Sequence, residues 1–255
     1  MDLYFQGMSW INKGRNPADT ARGRGFFERA LALDPDNLDA AVGLACADVQ
    51  TATGYYVDDK AERIESAEAS LNRVLSQSPN NAQARYCLGR ALVQNKRGVE
   101  GIVECERALA LNPNLASAHA QVGLTKLFDG HPEETESHER EALRVSPRDS
   151  EAGVWVAYIA LAKLHLGAYK EALDLYRRSK DLDPNYATGR FNMATVLVEL
   201  GRLDEARAEV QAGLALNPGF TIRRYRAGAQ SDNPAFLKRR ERMIEDFRKA
   251  GVPEG

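Results

Sequence analysis

Apolar and polar positions alternate with a helical period through most of the chain, and prolines interrupt this pattern at regular intervals. Two nearly identical segments, FFERALALDP at 26–35 and CERALALNP at 105–113, show the alanine- and leucine-rich pattern that precedes each interruption. Proline ends a helix because it lacks an N–H group and its ring clashes with the preceding turn. The prolines at these places are Pro35, Pro79, Pro113, Pro147, Pro184 and Pro218, at separations of 44, 34, 34, 37 and 34 residues. The spacing predicts a series of helix-turn-helix units.

Small residues recur at two equivalent positions of these units. Counted from residues 82, 116 and 187, position 8 holds Gly89, Gly123 and Ala194, and position 27 holds Ala108, Ala142 and Gly213. Two antiparallel helices approach closely only where no large side chain lies between them. The small residues therefore predict a close crossing of the two helices within each unit.

The unit length, the small residues and a proline at position 32 together resemble the tetratricopeptide repeat, over residues 8–220. The resemblance implies an all-α fold, a right-handed superhelical solenoid of antiparallel helix pairs with a concave inner surface. Five units are expected, at 38–81, 82–115, 116–149, 150–186 and 187–220.

Three features depart from the repeat. The unit at 38–81 is ten residues too long, and we expect Gly54 to end its first helix and Asp58 or Asp59 to cap the second. Tyr55 and its neighbour Tyr56 then lie on an extended connection or pack against the adjacent repeat. Glu139 occupies a position where the family has a bulky residue, which predicts loose packing or an outward-turned side chain. The unit at 150–186 is three residues too long, which predicts a longer first helix.

The N-terminal part of the chain contains an incomplete unit. Residues 1–7, MDLYFQG, resemble the recognition site of a protease used to remove purification tags, so we interpret them as a tag remnant. Residues 8–37 form an incomplete N-terminal unit, whose helix is expected to leave Phe26 or Phe27 exposed. An exposed apolar surface of this kind suggests a homodimer formed through the first unit.

The last segment, residues 221–255, predicts a capping helix that closes the final repeat. Its sequence SDNPAFLKRRERMIEDFRKAGVPEG also resembles the closing segment of repeat regions attached to bacterial class III adenylate/guanylate cyclases and to winged-helix transcription regulators. That resemblance implies that the chain is the regulatory part of such a protein. Its local excess of basic residues is interpreted as the solvated face of the cap.

The charge and the cysteines narrow the choice of partner and compartment. A formal net charge of −2 provides no overall field that attracts nucleic acid or an anionic membrane, so neither is expected as a partner. The sequence lacks an apolar run long enough to span a membrane and a recognisable signal peptide, and the cytoplasm is the expected location. Cys46, Cys87 and Cys105 are interpreted as buried, unpaired residues in a reducing compartment.

No set of residues in the sequence predicts an enzyme, a cofactor site or a metal site. His131 and His138 are seven residues apart, but the chain lacks the HExxH spacing of a zinc site. The acidic residues between them are those favoured at the N-terminus of a helix. No nucleophile, base and carboxylate can be grouped with confidence from their positions in the sequence.

The remaining candidate is the concave groove. In this family, the first-helix positions opposite the small residues tend to face the inner side. The expected groove residues are Tyr86, Arg90, Gln94, Leu124, Phe128, Phe191, Asn192 and Thr195, with Trp155 and Tyr158 as candidates from the lengthened unit. Each of them alternatively packs in the core between repeats.

Two functions remain open. The leading hypothesis is a non-enzymatic scaffold that binds a protein or peptide in the groove. Apolar residues occupy positions where a clamp for a terminal carboxylate needs polar partners, so an apolar helix or an extended segment is the expected ligand. The alternative is a regulatory or sensory fragment of a bacterial cyclase or transcription regulator.

Overall fold

The computed structural model describes residues 2–13 and 16–255, and this part of the chain is all-helical, with no β-strand. The helices in chain order are α1 (Leu3–Ile11), α2 (Pro17–Leu33), α3 (Leu38–Thr53), α4 (Lys60–Gln77), α5 (Ala82–Gln94), α6 (Gly98–Leu111), α7 (Ala116–Phe128), α8 (Pro132–Val145), α9 (Ala152–His165), α10 (Tyr169–Leu182), α11 (Ala187–Glu199), α12 (Leu203–Leu216), α13 (Ile222–Ala227) and α14 (Pro234–Ala250). Consecutive helices pack in antiparallel pairs from α1–α2 to α11–α12, and each pair packs on the next. The predicted all-α solenoid of helix pairs is confirmed.

Local signals in the sequence explain the helix boundaries. The second helix of each pair ends within two or three residues of its proline, and a short turn leads into the next pair. Asn37 and Asn81 then act as N-caps, because their side-chain oxygens accept hydrogen bonds from the backbone N–H groups of Ala40 and Ala84. The proline turn and the asparagine cap together fix where one helix pair ends and the next begins in this part of the chain.

Glycine brings the two helices of a pair into contact. A Cβ atom at Gly89 would lie 2.7 Å from the backbone oxygen of Gly101, and a Cβ atom at Gly101 would lie 2.8 Å from the backbone oxygen of Gly89. The backbones of α5 and α6 therefore touch at this crossing, and any side chain there would separate them. This contact is the physical basis of the small residues in the repeat.

The first helix pair differs from the prediction. α1 and α2 form a complete antiparallel pair, and the first five residues of α1 belong to the segment interpreted as a tag remnant. Phe27 is fully buried, with Tyr4 on one side and Gly43 of α3 on the other. The expected exposure of Phe27 is therefore wrong, because α1 covers it. Phe26 remains partly exposed.

Glu139 and the lengthened units also require correction. The Glu139 side chain is fully buried, so the prediction that it turns outward is wrong. α9 is only one residue longer than α5, α7 and α11, and most of the surplus of its unit lies in the turn at 146–151. Gly54 follows the end of α3 as predicted, but the side chains of Asp58 and Asp59 do not cap α4.

Candidate functional site

The first helices of successive units form the inner wall of the solenoid. α3 contacts α5, α5 contacts α7, α7 contacts α9, and α9 contacts α11. In a curved array of helix pairs, the helices that approach one another along the shorter arc line the concave side. A site inside the superhelix is therefore built from these five helices.

A C-terminal arm (residues 221–255) covers the second half of this wall. α14 packs against α11 and α12, and its Phe236 lies 5.3 Å from Phe128 of α7, measured between ring centroids. Phe236 also stacks on His165 at the end of α9, at a centroid distance of 6.0 Å. The predicted capping helix is thus more than a cap on the last pair, because it reaches back across the inner faces of α9 and α7.

The arm is attached to the early part of the solenoid by the connection between α3 and α4. Asp58 forms a two-pronged ion pair with Arg224, at 2.8 and 2.7 Å. Tyr55 packs edge-on against Phe220 and contacts Tyr225, at centroid distances of 5.7 and 5.5 Å. The connection at 54–59, which holds part of the surplus of the unit at 38–81, therefore forms the receiving side of a seam with the C-terminal arm.

Further contacts extend the seam along the arm. The Nζ atom of Lys96, in the turn after α5, lies 2.6 Å from a carboxylate oxygen of Asp232. The side-chain amide of Asn233 donates a hydrogen bond to the backbone oxygen of Asp129, at 2.8 Å. Tyr55 has a φ angle of 59°, a left-handed conformation that is uncommon for a bulky residue. The seam holds that conformation through the contacts of the Tyr55 ring.

The first half of the inner wall is open. An N-terminal groove of about 600 Å³ lies between α1, α3, α5 and the turn at 146–151. Its floor contains Gln50 of α3 and Tyr86 and Arg90 of α5, and its rim contains Tyr4 and Met8 of α1. No part of the C-terminal arm lines this groove. It is the candidate functional site.

Arg90 is the only cationic residue of α3 and α5 that lines the groove, and it lacks an acidic partner. Its guanidinium carbon lies 5.7 Å from the centroid of the Tyr86 ring, a cation–π contact. Among residues 2–13 and 16–255, no carboxylate oxygen lies within ion-pair distance of the Arg90 guanidinium. Arg90 is only 7% exposed, so water solvates its charge poorly. A carboxylate in the groove would compensate this charge.

The cysteine prediction is wrong for two of the three residues. Cys46 of α3 and Cys87 of α5 form a disulfide, with Cα atoms 5.5 Å apart. Cys105 is unpaired and fully buried as expected, and burial raises the pKa of its thiol to about 12. The sequence positions gave no sign of the pairing because Cys46 and Cys87 are 41 residues apart and meet only when two units stack. The cytoplasmic prediction, which relied partly on unpaired cysteines, stays a prediction.

The structure divides the predicted groove residues among three environments. Tyr86 and Arg90 line the N-terminal groove, and Gln94 lies beside the seam. The residues next to the C-terminal arm are Leu124, Phe128, Tyr158 and Asn192, which line a small inner cavity beneath it. The residues that lie wholly in the core are Trp155, Phe191 and Thr195, each at most 1% exposed. For these three, the groove prediction is wrong.

Packing against neighbouring helices explains the buried set. Phe191 stacks on Phe220 with ring centroids 3.9 Å apart, and a Cβ atom at Gly213 would lie 2.9 Å from the Phe191 ring. Trp155 packs among the small residues of α7 and α8. The position of these residues in the repeat places them on the first helix of a pair. It does not show which side chains pack against the adjacent pair and which line the groove. The structure also reveals Gln50 as a groove residue that the register rule did not select.

In the part of the chain that the structure describes, one exposed group of side chains has the composition of a possible metal site. His131, Glu133 and Glu134 bring their possible ligand atoms within 4.8 Å of one another at the start of α8. All three side chains are solvent-accessible, and no buried polar group points to a ligand there, so we assign no metal site to them. None of the helices in residues 2–13 and 16–255 is long and apolar enough to cross a membrane.

Comparison with known proteins identifies the repeat. A sequence profile of the tetratricopeptide repeat matches residues 60–123 and 163–230, and a second profile of the same repeat matches residues 129–187. A peroxisomal targeting signal receptor of Candida albicans is 24% identical over 218 residues, which are 82% of this chain and 35% of that protein. The chain thus spans about a third of the length of this curated relative.

Solved structures share the fold at low sequence identity. A thermophilic tetratricopeptide repeat protein of Thermus thermophilus superposes with a TM-score of 0.61, at 19% identity, over 77% of this chain and 97% of that one. The human IFIT1 dimer with m7Gppp-AAAA superposes with a TM-score of 0.71, at 16% identity, over 99% of this chain and 59% of that one. These likenesses concern the fold alone. The profile matches cover more than half of the sequence, and the chain belongs to the tetratricopeptide repeat family.

Proposed function

We propose that the chain is a non-enzymatic scaffold that binds a peptide segment of a protein partner in the N-terminal groove. The observation that carries this proposal is the pair formed by Tyr86 and Arg90 on the floor of an open groove of about 600 Å³. Aromatic and arginine side chains are the residues most often found at the centre of binding hot spots. Tetratricopeptide repeats present such side chains from a rigid row of helices, which lowers the entropy lost on binding.

The lining of the groove selects the chemistry of the ligand. The rim and floor are apolar at Ile11, Phe27 and Val42, and Gln50 and Gln83 supply amide groups for a peptide backbone. Arg90 requires a carboxylate, because its charge is nearly buried and unpaired. The ligand is therefore a segment with apolar side chains next to one acidic side chain or a C-terminal carboxylate.

The similarity to a curated relative supports this proposal. The name of the Candida albicans relative describes a receptor for a targeting signal, and this chain matches about a third of its length. A signal carried on a protein is recognised as a short segment of chain, which is the kind of ligand that the groove fits. The regulatory alternative and the homodimer stay predictions, and neither gains support from a specific contact of the structure.

Selection from a library of random displayed peptides tests the proposal. We expect the selected sequences to share an acidic residue beside apolar residues and to bind with micromolar affinity, about −8 kcal/mol. Arg90→Gln is expected to weaken binding of the selected peptide by at least about tenfold, because a charge-assisted hydrogen bond is lost. Tyr86→Ala is expected to weaken it as well. Isothermal titration calorimetry measures both changes.

Two controls make the result specific to the groove. Arg107→Gln removes an exposed charge from α6, outside the groove, and should leave the affinity unchanged. A chain that begins at Met8 tests the contribution of Tyr4, which belongs to the predicted tag remnant. Equal binding by the wild type, Arg90→Gln and Tyr86→Ala would show that the N-terminal groove is not the peptide site.

A further inference from the structure

A second cavity lies inside the covered half of the solenoid. This inner cavity has a volume of about 70 Å³ and lies between α7, α9 and α11, the end of α3 with the connection that follows it, and the C-terminal arm. Apolar and aromatic side chains, among them Leu124, Phe128 and Tyr158, make up much of its lining. Asn192, Gln230 and Arg240 contribute polar groups. The volume exceeds the space needed by a single water molecule several times.

Arg240 is the unusual member of this lining. Its side chain comes from α14, is only 5% exposed, and lies over the Tyr225 ring with its guanidinium carbon 3.7 Å from the ring centroid. One terminal nitrogen donates a hydrogen bond to the backbone oxygen of Tyr225, while Nε has no hydrogen-bond partner. In the described part of the chain, no carboxylate oxygen lies within ion-pair distance of Arg240.

The neighbouring residue Arg239 has the carboxylate partner that Arg240 lacks. Arg239 lies 3.3 Å from a carboxylate oxygen of Glu199, and Arg242 on the same helix pairs with the other oxygen of Glu199. Arg240 points into the cavity side of α14 and has only ring faces, a backbone carbonyl and the Tyr55 hydroxyl as partners. A guanidinium buried without an anion is costly, because the interior replaces little of its hydration.

Two nearby groups show that the surroundings of Arg240 are positive. Burial, together with Arg239 and Arg240, lowers the pKa of His165 to about 3, so this imidazole is neutral at physiological pH. Burial and the charges of Arg240 and Lys96 lower the pKa of Lys60 to about 8. Burial is the larger cause of both shifts, and the nearby cations add to it with the same sign.

We propose that the inner cavity binds a small organic carboxylate, with its carboxylate group on Arg240 and its apolar body against Phe128 and Tyr158. A guanidinium binds a carboxylate through charge-assisted hydrogen bonds, and the Nε atom without a partner is one of the available donors. Gln230 also lines the cavity, but its side-chain NH₂ group already donates a hydrogen bond to the Tyr55 hydroxyl at 3.2 Å, so Arg240 is the donor that the carboxylate uses. The ligand contacts both the inner wall and α14, so it holds the C-terminal arm in place. Gln50 lines both this cavity and the N-terminal groove, but Arg240 lines the cavity and Arg90 the groove, so variants of the two arginines test the two proposals independently.

The experiment compares carboxylates with their neutral amides on the wild-type chain. Acetate, butyrate and benzoate are titrated by calorimetry and thermal unfolding, each beside its amide, and inorganic phosphate is included as an anion without an apolar body. At least one carboxylate is expected to bind and to raise the unfolding temperature, and its amide to bind at least about tenfold more weakly. Absence of binding by all three acids, equal binding by the amides, or equal binding by phosphate would overturn the proposal.

Variants on α14 locate the site. Arg240→Gln is expected to abolish the difference between acid and amide, whereas Lys238→Gln, which removes an exposed charge from the same helix, should preserve it. Unchanged carboxylate binding in Arg240→Gln contradicts the assignment. If Arg240→Gln does not fold, the shift of the His165 ring signals in the NMR spectrum of the wild type replaces it. These signals should move with the acid and not with the amide, and an acid that binds without moving them lies elsewhere.

Discussion

The two halves of the inner wall are built from the same repeat, but their surfaces have different surroundings. In the first half, the inner faces of α3 and α5 line an open groove that contains Tyr86 and Arg90. In the second half, the inner faces of α9 and α11 are covered by α14, and only a small cavity remains. The open half is fastened by a disulfide between its first helices, and the covered half by the aromatic side chains of the C-terminal arm.

The comparison shows that the repeat alone does not determine where a partner can bind. The same register position gives Tyr86, which lines a groove, and Phe191, which is fully buried. What differs is the segment that follows the last repeat, because it contacts the connection between α3 and α4 and then packs α14 against α11 and α12. Half of the concave surface is thereby used for intramolecular packing, and the other half stays open.

The largest loss of stability is expected from a substitution in the covered half. Phe236→Ala removes a side chain that is 3% exposed and packs on Phe128 and His165, so we expect a loss of about 3 to 5 kcal/mol in the free energy of unfolding. Denaturant titration followed by circular dichroism measures this loss. Phe5→Ala, at a residue that is 64% exposed on α1, is the matched control and should change the stability little. Similar losses in the two variants would contradict a covered second half.

The second-largest loss of stability is expected when the disulfide of the open half is reduced. The disulfide between Cys46 and Cys87 links residues 41 positions apart, and its reduction should lower the free energy of unfolding by about 2 to 4 kcal/mol. A reductant is therefore expected to destabilise the wild type and to leave the double variant Cys46→Ala/Cys87→Ala unaffected. Thiol titration of the denatured, unreduced protein should find one free cysteine, Cys105. A result of three free thiols would show that Cys46 and Cys87 do not form a disulfide and that the open half is not stabilised by one.

The sequence predicts the open half better than the covered one. Proline spacing and the close crossing of Gly89 and Gly101 are local signals that act within one unit, so the helices and their pairing follow from them. Tyr86 and Arg90, which the groove register selects, lie beside the N-terminal groove, and their role in binding stays a prediction. The register fails at Phe191 because that ring stacks on Phe220, in the turn after α12, a contact that the first-helix positions do not encode. The surplus at 51–59 is the one visible sign of the seam, and its partner lies more than 160 residues away.

An intermediate effect is expected at the boundary between the halves. Glu139 of α8 is fully buried, neither carboxylate oxygen has a hydrogen-bond partner, and burial together with Glu151 raises its pKa well above the usual value. Glu139→Leu is expected to stabilise the fold by about 1 to 3 kcal/mol at neutral pH, because it removes an unsatisfied polar group. Glu141→Leu, at an exposed residue of the same helix, is the control and should not stabilise the fold.

The pH dependence of Glu139 gives an independent check. The folded state holds the proton more tightly than the unfolded state, so it binds more protons between the unfolded and folded pKa values. The contribution of this residue to stability is therefore most favourable below the unfolded pKa, near 4.5, and declines as the pH rises through the window above it. Unfolding curves measured from pH 4 to 8 should show a smaller decline in Glu139→Leu than in the wild type.

The smallest expected effect on stability concerns the seam, where Asp58→Asn removes the two-pronged ion pair with Arg224. Asp58 is solvent-exposed, so its pair contributes little to global stability, and we expect the unfolding temperature to fall only slightly. The hydrogen bond from Arg224 lowers the pKa of Asp58, so the pair is present above the pKa of the unfolded carboxyl and is lost as the pH falls through the lower folded value.

The variant Asp58→Asn is expected to have a local effect on the seam. Amide hydrogen exchange should become faster at 54–59 and 221–233 and stay unchanged in α5 and α6. Asp204→Asn, which breaks an exposed pair within α12, is the control and should leave exchange at the seam unchanged. Exchange at 221–233 that is the same in Asp58→Asn as in the wild type would show that the aromatic contacts of Tyr55 hold the arm without the ion pair. In that case, apolar packing alone keeps the C-terminal arm on the second half of the inner wall.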